Sequence, residues 1–160
     1  MMFFKSISIE KRFHDACFSC FEQVFKKYSF KLLFATHKGC YTKLTFMNGQ
    51  CGLVIIHDLR DGILIYVVEL KNNEVGKYDP ARWIFLETLM RLKGEKKNIS
   101  NTKVKKMYKQ DYIESVLKQY ANVLIKHGAE IFNGEFAEIK EEQELVRKEN
   151  MEKYPGGYYY

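Results

Sequence analysis

The sequence predicts an α+β domain, in which an antiparallel β-meander of three to four strands packs with an N-terminal helix and three C-terminal helices. Two observations carry this expectation. Residues 40–70, CYTKLTFMNGQCGLVIIHDLRDGILIYVVEL, hold three runs rich in Val, Ile, Leu, Tyr and Phe, separated by Asn48-Gly49 and Asp61-Gly62. Both pairs accept positive φ at low cost and so close tight reversals between strands. Helical periodicity is confined to the segments on either side, and strands and helices segregated along a chain build α+β folds rather than parallel α/β sheets.

The N-terminal helix is read from Ile9, Phe13, Cys17, Cys20, Phe21, Val24 and Tyr28, whose spacings of three and four place them on one face, with Ser8 as the N-cap. Phe18 and Phe25 widen that stripe. Phe30 to Ala35 is a short apolar run that supplies a first strand, and His37-Lys38-Gly39 turns it into the meander. In residues 40–47 Thr42, Leu44 and Phe46 alternate with Tyr41, Lys43 and Thr45, giving one buried and one wetter face. Leu53 to Ile56 and Ile63 to Val68 are apolar on both parities, which predicts central strands covered on both faces, each face by a helix or by a partner protein.

Lys71 to Tyr78 is polar and reads as a loop. Asp79-Pro80 is a helix start, because Asp caps free N–H groups and Pro at the first helical position loses no hydrogen bond. The helix from Ala81 to Leu92 would be apolar nearly all round and deeply buried. Lys93 to Lys109 is a basic loop with too few apolar residues to fold on itself. Tyr112, Ile113, Val116, Leu117, Tyr120, Ala121, Leu124 and Ile125 repeat at helical spacing, continuing to Phe132, and Asn133-Gly134 ends that helix. A last, acidic helix spans about Phe136 to Lys148 and presents Ile139, Leu145 and Val146.

With 160 residues, 46% hydrophobic and 15% aromatic, the chain can bury a sizeable core within one domain. Residues 1–153 are read as that domain and residues 154–160 as a flexible tail. The opening MMFFKS is too short for a signal-peptide core, and no stretch approaches the roughly 20 apolar residues of a bilayer span, so the expected location is cytoplasmic. The net charge of +6 is uneven. Between Arg91 and Lys109 eight basic residues face the single acid Glu95, whereas between Glu130 and Lys153 eight glutamates face four basic residues.

Two groupings carry candidate chemistry. Asp61 followed by Glu69-Leu70-Lys71 resembles the acid and Glu-x-Lys of restriction-type, metal-dependent nucleases, where the acids hold a divalent cation and the lysine positions water. If Asp61-Gly62 is the reversal, however, Asp58 and Asp61 stand at one end of the hairpin and Glu69 at the other, on the order of 20 Å away at the usual strand rise. The position facing Glu69 falls near Cys51 or Gly52. Cys17-x-x-Cys20 with His37-x-x-Cys40 has the ligand types of a zinc site. Yet Cys17 and Cys20 lie on the buried stripe of a helix, which favours core thiols, and the four cysteines, Cys51 included, are expected to be reduced. GxSxG, HExxH and phosphate-cradling Gly-rich motifs are absent from the sequence. Neither catalytic, cofactor-binding nor metal-binding residues are therefore assigned. The basic segment 91–109, with Tyr108 and Tyr112 available for stacking, leaves nucleic-acid binding or a nuclease-like activity as the alternative.

GLVIIHDLRDGILIYVVEL at residues 52–70 and YANVLIKHGAEIFNGEFAEI at residues 120–139 resemble a group of small bacterial proteins of the toxin-immunity type. The resemblance rests on the aromatic N-terminal helix, an Asp-Arg-containing hairpin and a C-terminal aromatic and glycine pattern. It implies a cytoplasmic protein that binds and neutralises a cognate toxin, with no catalytic residues. Immunity proteins that meet basic nucleases tend to be acidic, so a basic chain implies a target with an acidic patch, or contact through the acidic helix around Glu141 to Glu149. The expected contact residues are Tyr78, Lys96, Lys97, Tyr108, Tyr112, Glu141 and Glu142, chosen for exposure and for the enrichment of Tyr at interfaces.

Overall fold

The computed structural model describes residues 8–96 and 109–157. The apolar stripe from Ile9 to Tyr28 forms α1 (Ile9–Cys20) and α2 (Glu22–Tyr28), with Ser8 capping α1 through the Lys11 N–H. The single predicted helix is thus divided at Phe21. Its N–H still reaches Cys17 O at 3.0 Å and its C=O still accepts from Phe25 N–H at 2.9 Å, so the buried stripe is continuous. Ser29 then takes the left-handed conformation (φ 58°) and ends α2.

Among the described residues five strands follow the order β1-β2-β3-β4-β5, every neighbouring pair antiparallel: β1 (Lys31–Lys38), β2 (Tyr41–Met47), β3 (Cys51–Asp58), β4 (Gly62–Glu69) and β5 (Trp83–Phe85). The two reversals close where their residues predict. Gly49 and Gly62 have φ of 85° and 91°, and the Asn48 side-chain oxygen accepts from the N–H groups of Gln50 and Cys51, each at 2.9 Å.

β5 corrects two expectations, since the meander has five strands rather than three or four and the helix does not begin at Ala81. Asp79 does cap, its carboxylate taking the Ala81 N–H at 2.9 Å, but only a single turn follows. Trp83, Ile84 and Phe85 then extend to pair with Val68, Val67 and Tyr66, which satisfies the outer edge of β4. Helix α3 covers only Leu86–Leu92. The predicted helix ending at Phe132 is likewise divided, into α4 (Gln110–His127) and α5 (Ala129–Phe132), at Gly128. A side chain there would meet Leu124 O at 2.5 Å and the Phe132 ring at 2.7 Å. Asn133-Gly134 ends α5, and α6 runs Ala137–Lys153. Among the described residues two helices therefore precede the sheet and four follow its first four strands, where one and three were expected.

One sheet face presents Leu44, Phe46, Leu53, Ile55, Ile63, Ile65, Val67 and Ile84 to a core completed by Phe13, Cys17 and Phe21 and by α4 residues from Ile113 to Leu124. The opposite face holds Val54, Ile56, Tyr66 and Val68. Central strands buried on both faces are what their apolar parities predict, and over the central strands the second face packs against a loop where a helix or a partner was expected. Val75 from the 71–82 loop and Trp83 from β5 seal it. Arg82 pins that loop, donating to Glu69 O at 2.9 Å, Val75 O at 3.2 Å and the Asp79 carboxylate at 3.2 Å. Among the described residues no helix is long and apolar enough to cross a membrane.

Candidate interaction surface

The hairpin acids stand apart, as the register requires. Glu69 pairs with Cys51 and Asp58 with Gly62, at opposite ends of β3 and β4. Glu69 accepts from Lys140 Nζ on α6 at 2.6 Å. Burial pushes the Asp58 carboxyl up, but the Arg60 backbone N–H at 2.8 Å and the Arg60 guanidinium at 3.4 Å bring it below the usual carboxylate range. Asp61 and Lys71 are exposed. Among the described residues no three His, Cys, Asp or Glu side chains lie close enough to share a metal ion.

The four zinc-type residues are also dispersed. Cys17 is buried in α1, Cys20 Sγ lies 3.8 Å from Glu114 O on α4, His37 Nδ1 lies 3.2 Å from Thr42 Oγ1, and Cys40 is exposed in the β1–β2 turn. Burial pushes the Cys17 thiol well up and the Cys51 thiol up to about 12, and it raises Cys20 as well. Both fully buried sulfurs are protonated core thiols at neutral pH.

The expected contact residues fall in different places. Tyr78 is 49% exposed, with its ring against Trp83 at 5.5 Å and Tyr66 at 6.0 Å. It lines a cleft with Trp83, Gln143 and Arg147, so it does neighbour α6. Glu141 is exposed, whereas Glu142 is engaged by Arg91 Nε at 2.6 Å and tied into the packing of α3 on α6. Tyr112 sits on α4 at the helix-covered side of the sheet, partly buried against the core. Lys96 lends its carbonyl to Gln119 at 3.2 Å. Lys97 and Tyr108 lie outside the described residues, as does most of the basic segment.

A further group of exposed apolar side chains lies on β1, at three consecutive positions. Leu32, Leu33 and Phe34 are 38%, 40% and 67% exposed. β1 is the first strand of the sheet order, so one of its edges is unpaired among the described residues. The register shifts between Leu32 and Phe34, a bulge at Leu33. Two residues apart would normally share a face, but the extra residue sets Leu32 opposite Phe46, on the helix side, and Phe34 opposite Thr45, on the other. Each face of the edge therefore carries an apolar projection.

A hollow adjoins each projection. On the side away from the helices a groove of about 570 Å³ runs between β1, β2 and the 73–77 loop, with Leu33, Phe34, Lys43, Met47 and Lys77 on its walls. On the helix side a second, of about 440 Å³, is lined by Phe18, Phe25, Phe30, Leu32 and Phe46. The edge is cationic. Lys31 and Lys38 bracket β1 and have no carboxylate partner among the described residues. Lys43 Nζ lies 5.0 Å from the Trp83 ring centroid. Comparison of the chain with protein-family models, with curated proteins and with solved structures returns no match.

Proposed function

We propose that this chain is a cytoplasmic protein-binding domain, acting as an immunity-type inhibitor that neutralises a cognate bacterial toxin by surface contact. The observation that carries the reading is the exposed group Leu32, Leu33 and Phe34 on the edge strand, flanked by a hollow on each side. Large apolar side chains gathered on a surface raise the free energy of the lone protein and mark surfaces that another molecule covers. Of the hairpin acids, Asp58 holds the Arg60 turn and Glu69 bonds Lys140 on α6.

The test is co-expression with the gene encoded beside this one. Growth arrest by the neighbour's product alone, relieved by this chain, is the expected outcome. A paired Leu33→Asp, Phe34→Asp variant is expected to abolish that relief while its circular dichroism stays unchanged. Binding of DNA or RNA that weakens steeply with salt, with no protection by the intact chain, would count decisively for the nucleic-acid reading instead.

A further inference from the structure

We infer that the free edge of β1 takes an extended segment of its protein partner as an added sheet strand, and that this segment is apolar in its middle and acidic at its ends. The inference rests on the protein-binding reading above and names its mode. An edge strand offers alternate N–H and C=O groups that find no partner within the sheet, and an incoming strand can satisfy them while its side chains fill pockets on both sides. β1 meets both conditions. It is eight residues long, it is unpaired on one side among the described residues, and the bulge at Leu33 leaves Leu33 and Phe34 beside one hollow and Leu32 beside the other.

Charge selects the occupant. β1 reads KLLFATHK, with a lysine at each end and no acid. A second copy pairing antiparallel about the strand centre would set Lys31 against the other copy's Lys38 twice over. Like charges directly opposed across strands are destabilising. Self-pairing in that register is therefore disfavoured, and a strand bearing Asp or Glu at both ends answers the same two lysines favourably. Lys43 and Lys77 on the groove wall add two further positive charges, and Glu74 on the same wall offsets one of them.

The probe is a ten-residue peptide with an alternating Val/Thr centre and two aspartates at each end. Its comparators are a lysine-ended version and a version with N-methyl groups on alternate backbone amides. The aspartate-ended peptide is expected to bind about tenfold more tightly than the lysine-ended one, from two to four exposed charge pairs changed from repulsive to attractive. Backbone methylation is expected to remove binding. Lys31→Glu with Lys38→Glu, both on exposed positions, should reverse the preference between the two ends. Equal binding of all three peptides, binding that survives methylation, or no binding at millimolar peptide overturns the proposal. So does a concentration-dependent dimer, seen by sedimentation, that Phe34→Asp dissolves, because the occupant is then a second copy. Protection against a toxin with no peptide preference would sink the docking mode alone, whereas peptide binding without protection would sink the inhibitor reading and leave the edge site standing.

Discussion

Gly52 is the point at which the second face of the sheet is sealed. A Cβ there would stand 2.6 Å from Val75 Cγ2 and 3.2 Å from Val68 Cβ. Val68 is fixed in β4, so the loop residue must give way. Gly52→Ala should therefore lift the 71–78 segment and destabilise the fold by about 1–3 kcal/mol, the usual cost of overpacking, read as a lower denaturant midpoint. Val75→Ala removes the clashing methyl, so the double variant should lose less than the sum of the single ones. The thiols offer a second check at this scale. Cys40 is exposed, whereas Cys17 and Cys51 are buried and burial holds their protons on. In native protein at pH 8 a disulfide reagent should modify Cys40 rapidly and leave Cys17 and Cys51 unreacted until the fold is opened by denaturant. Cys40→Ser should abolish the rapid phase. Simultaneous fast reaction of all four cysteines, or their protection on adding zinc, would contradict the dispersed arrangement.

Among the elements, α6 stands out because it docks through polar groups. Of its seventeen residues only Ile139 is buried. It is held by Lys140 on Glu69, by the Gln143 carbonyl accepting from the Phe85 N–H at 3.3 Å, and by Arg91, which bonds Glu142 and Glu149 at 2.6–2.7 Å. α4, by contrast, buries seven residues from Ile113 to Leu124. Exposed ion pairs are screened once the Debye length falls to a few ångströms. Raising NaCl from about 0.05 to about 0.5 M should speed amide exchange several-fold in the Glu141–Lys153 part of α6 and leave α4 unchanged, and Arg91→Ala should reproduce the effect at low salt. Uniform behaviour of the two helices would show that α6 is held by something other than these charges. The elements were legible in the sequence wherever a periodic run met a residue with its own backbone preference: Asn48-Gly49, Asp61-Gly62 and Asn133-Gly134 all turn as their chemistry predicts. Trp83-Ile84-Phe85 was not legible, because three residues have no period to read. The Asp-Pro before them carries a genuine capping signal that tertiary pairing with β4 cuts short. Gly128 was missed for a similar reason: apolar spacing continues across it, and only the close approach of the Leu124 carbonyl and the Phe132 ring makes a side chain there untenable.

At the scale of the whole molecule, coverage of the sheet is uneven. The helices close one face, the 71–82 loop closes the other over the central strands, and β1 with the adjoining side of β2 is left open. This explains why the separation of Asp61 from Glu69 could be read from residue order, whereas the open edge could not. FKLLFA has the composition of a buried strand, and only its place at the end of the strand order exposes it. Leu33 and Phe34 thus contribute little to folding, while residues one strand inward contribute heavily. Phe46 is buried, and its ring stacks on Phe25 at 4.4 Å. Phe46→Ala should cost about 3–5 kcal/mol, as for a core aromatic, whereas Leu33→Thr and Phe34→Thr, which place a residue of high strand propensity on the strand, should each stay within about 0.5 kcal/mol of the parent. If the proposed function holds, the same two substitutions should lower protection of cells against the toxin it posits. A surface retained for association loses function without losing stability, and a surface retained for packing loses both. Urea denaturation beside the growth assay distinguishes the two. If Phe34→Thr unfolds the chain as readily as Phe46→Ala, then the β1 side chains belong to the core, and the partner must be sought on another face.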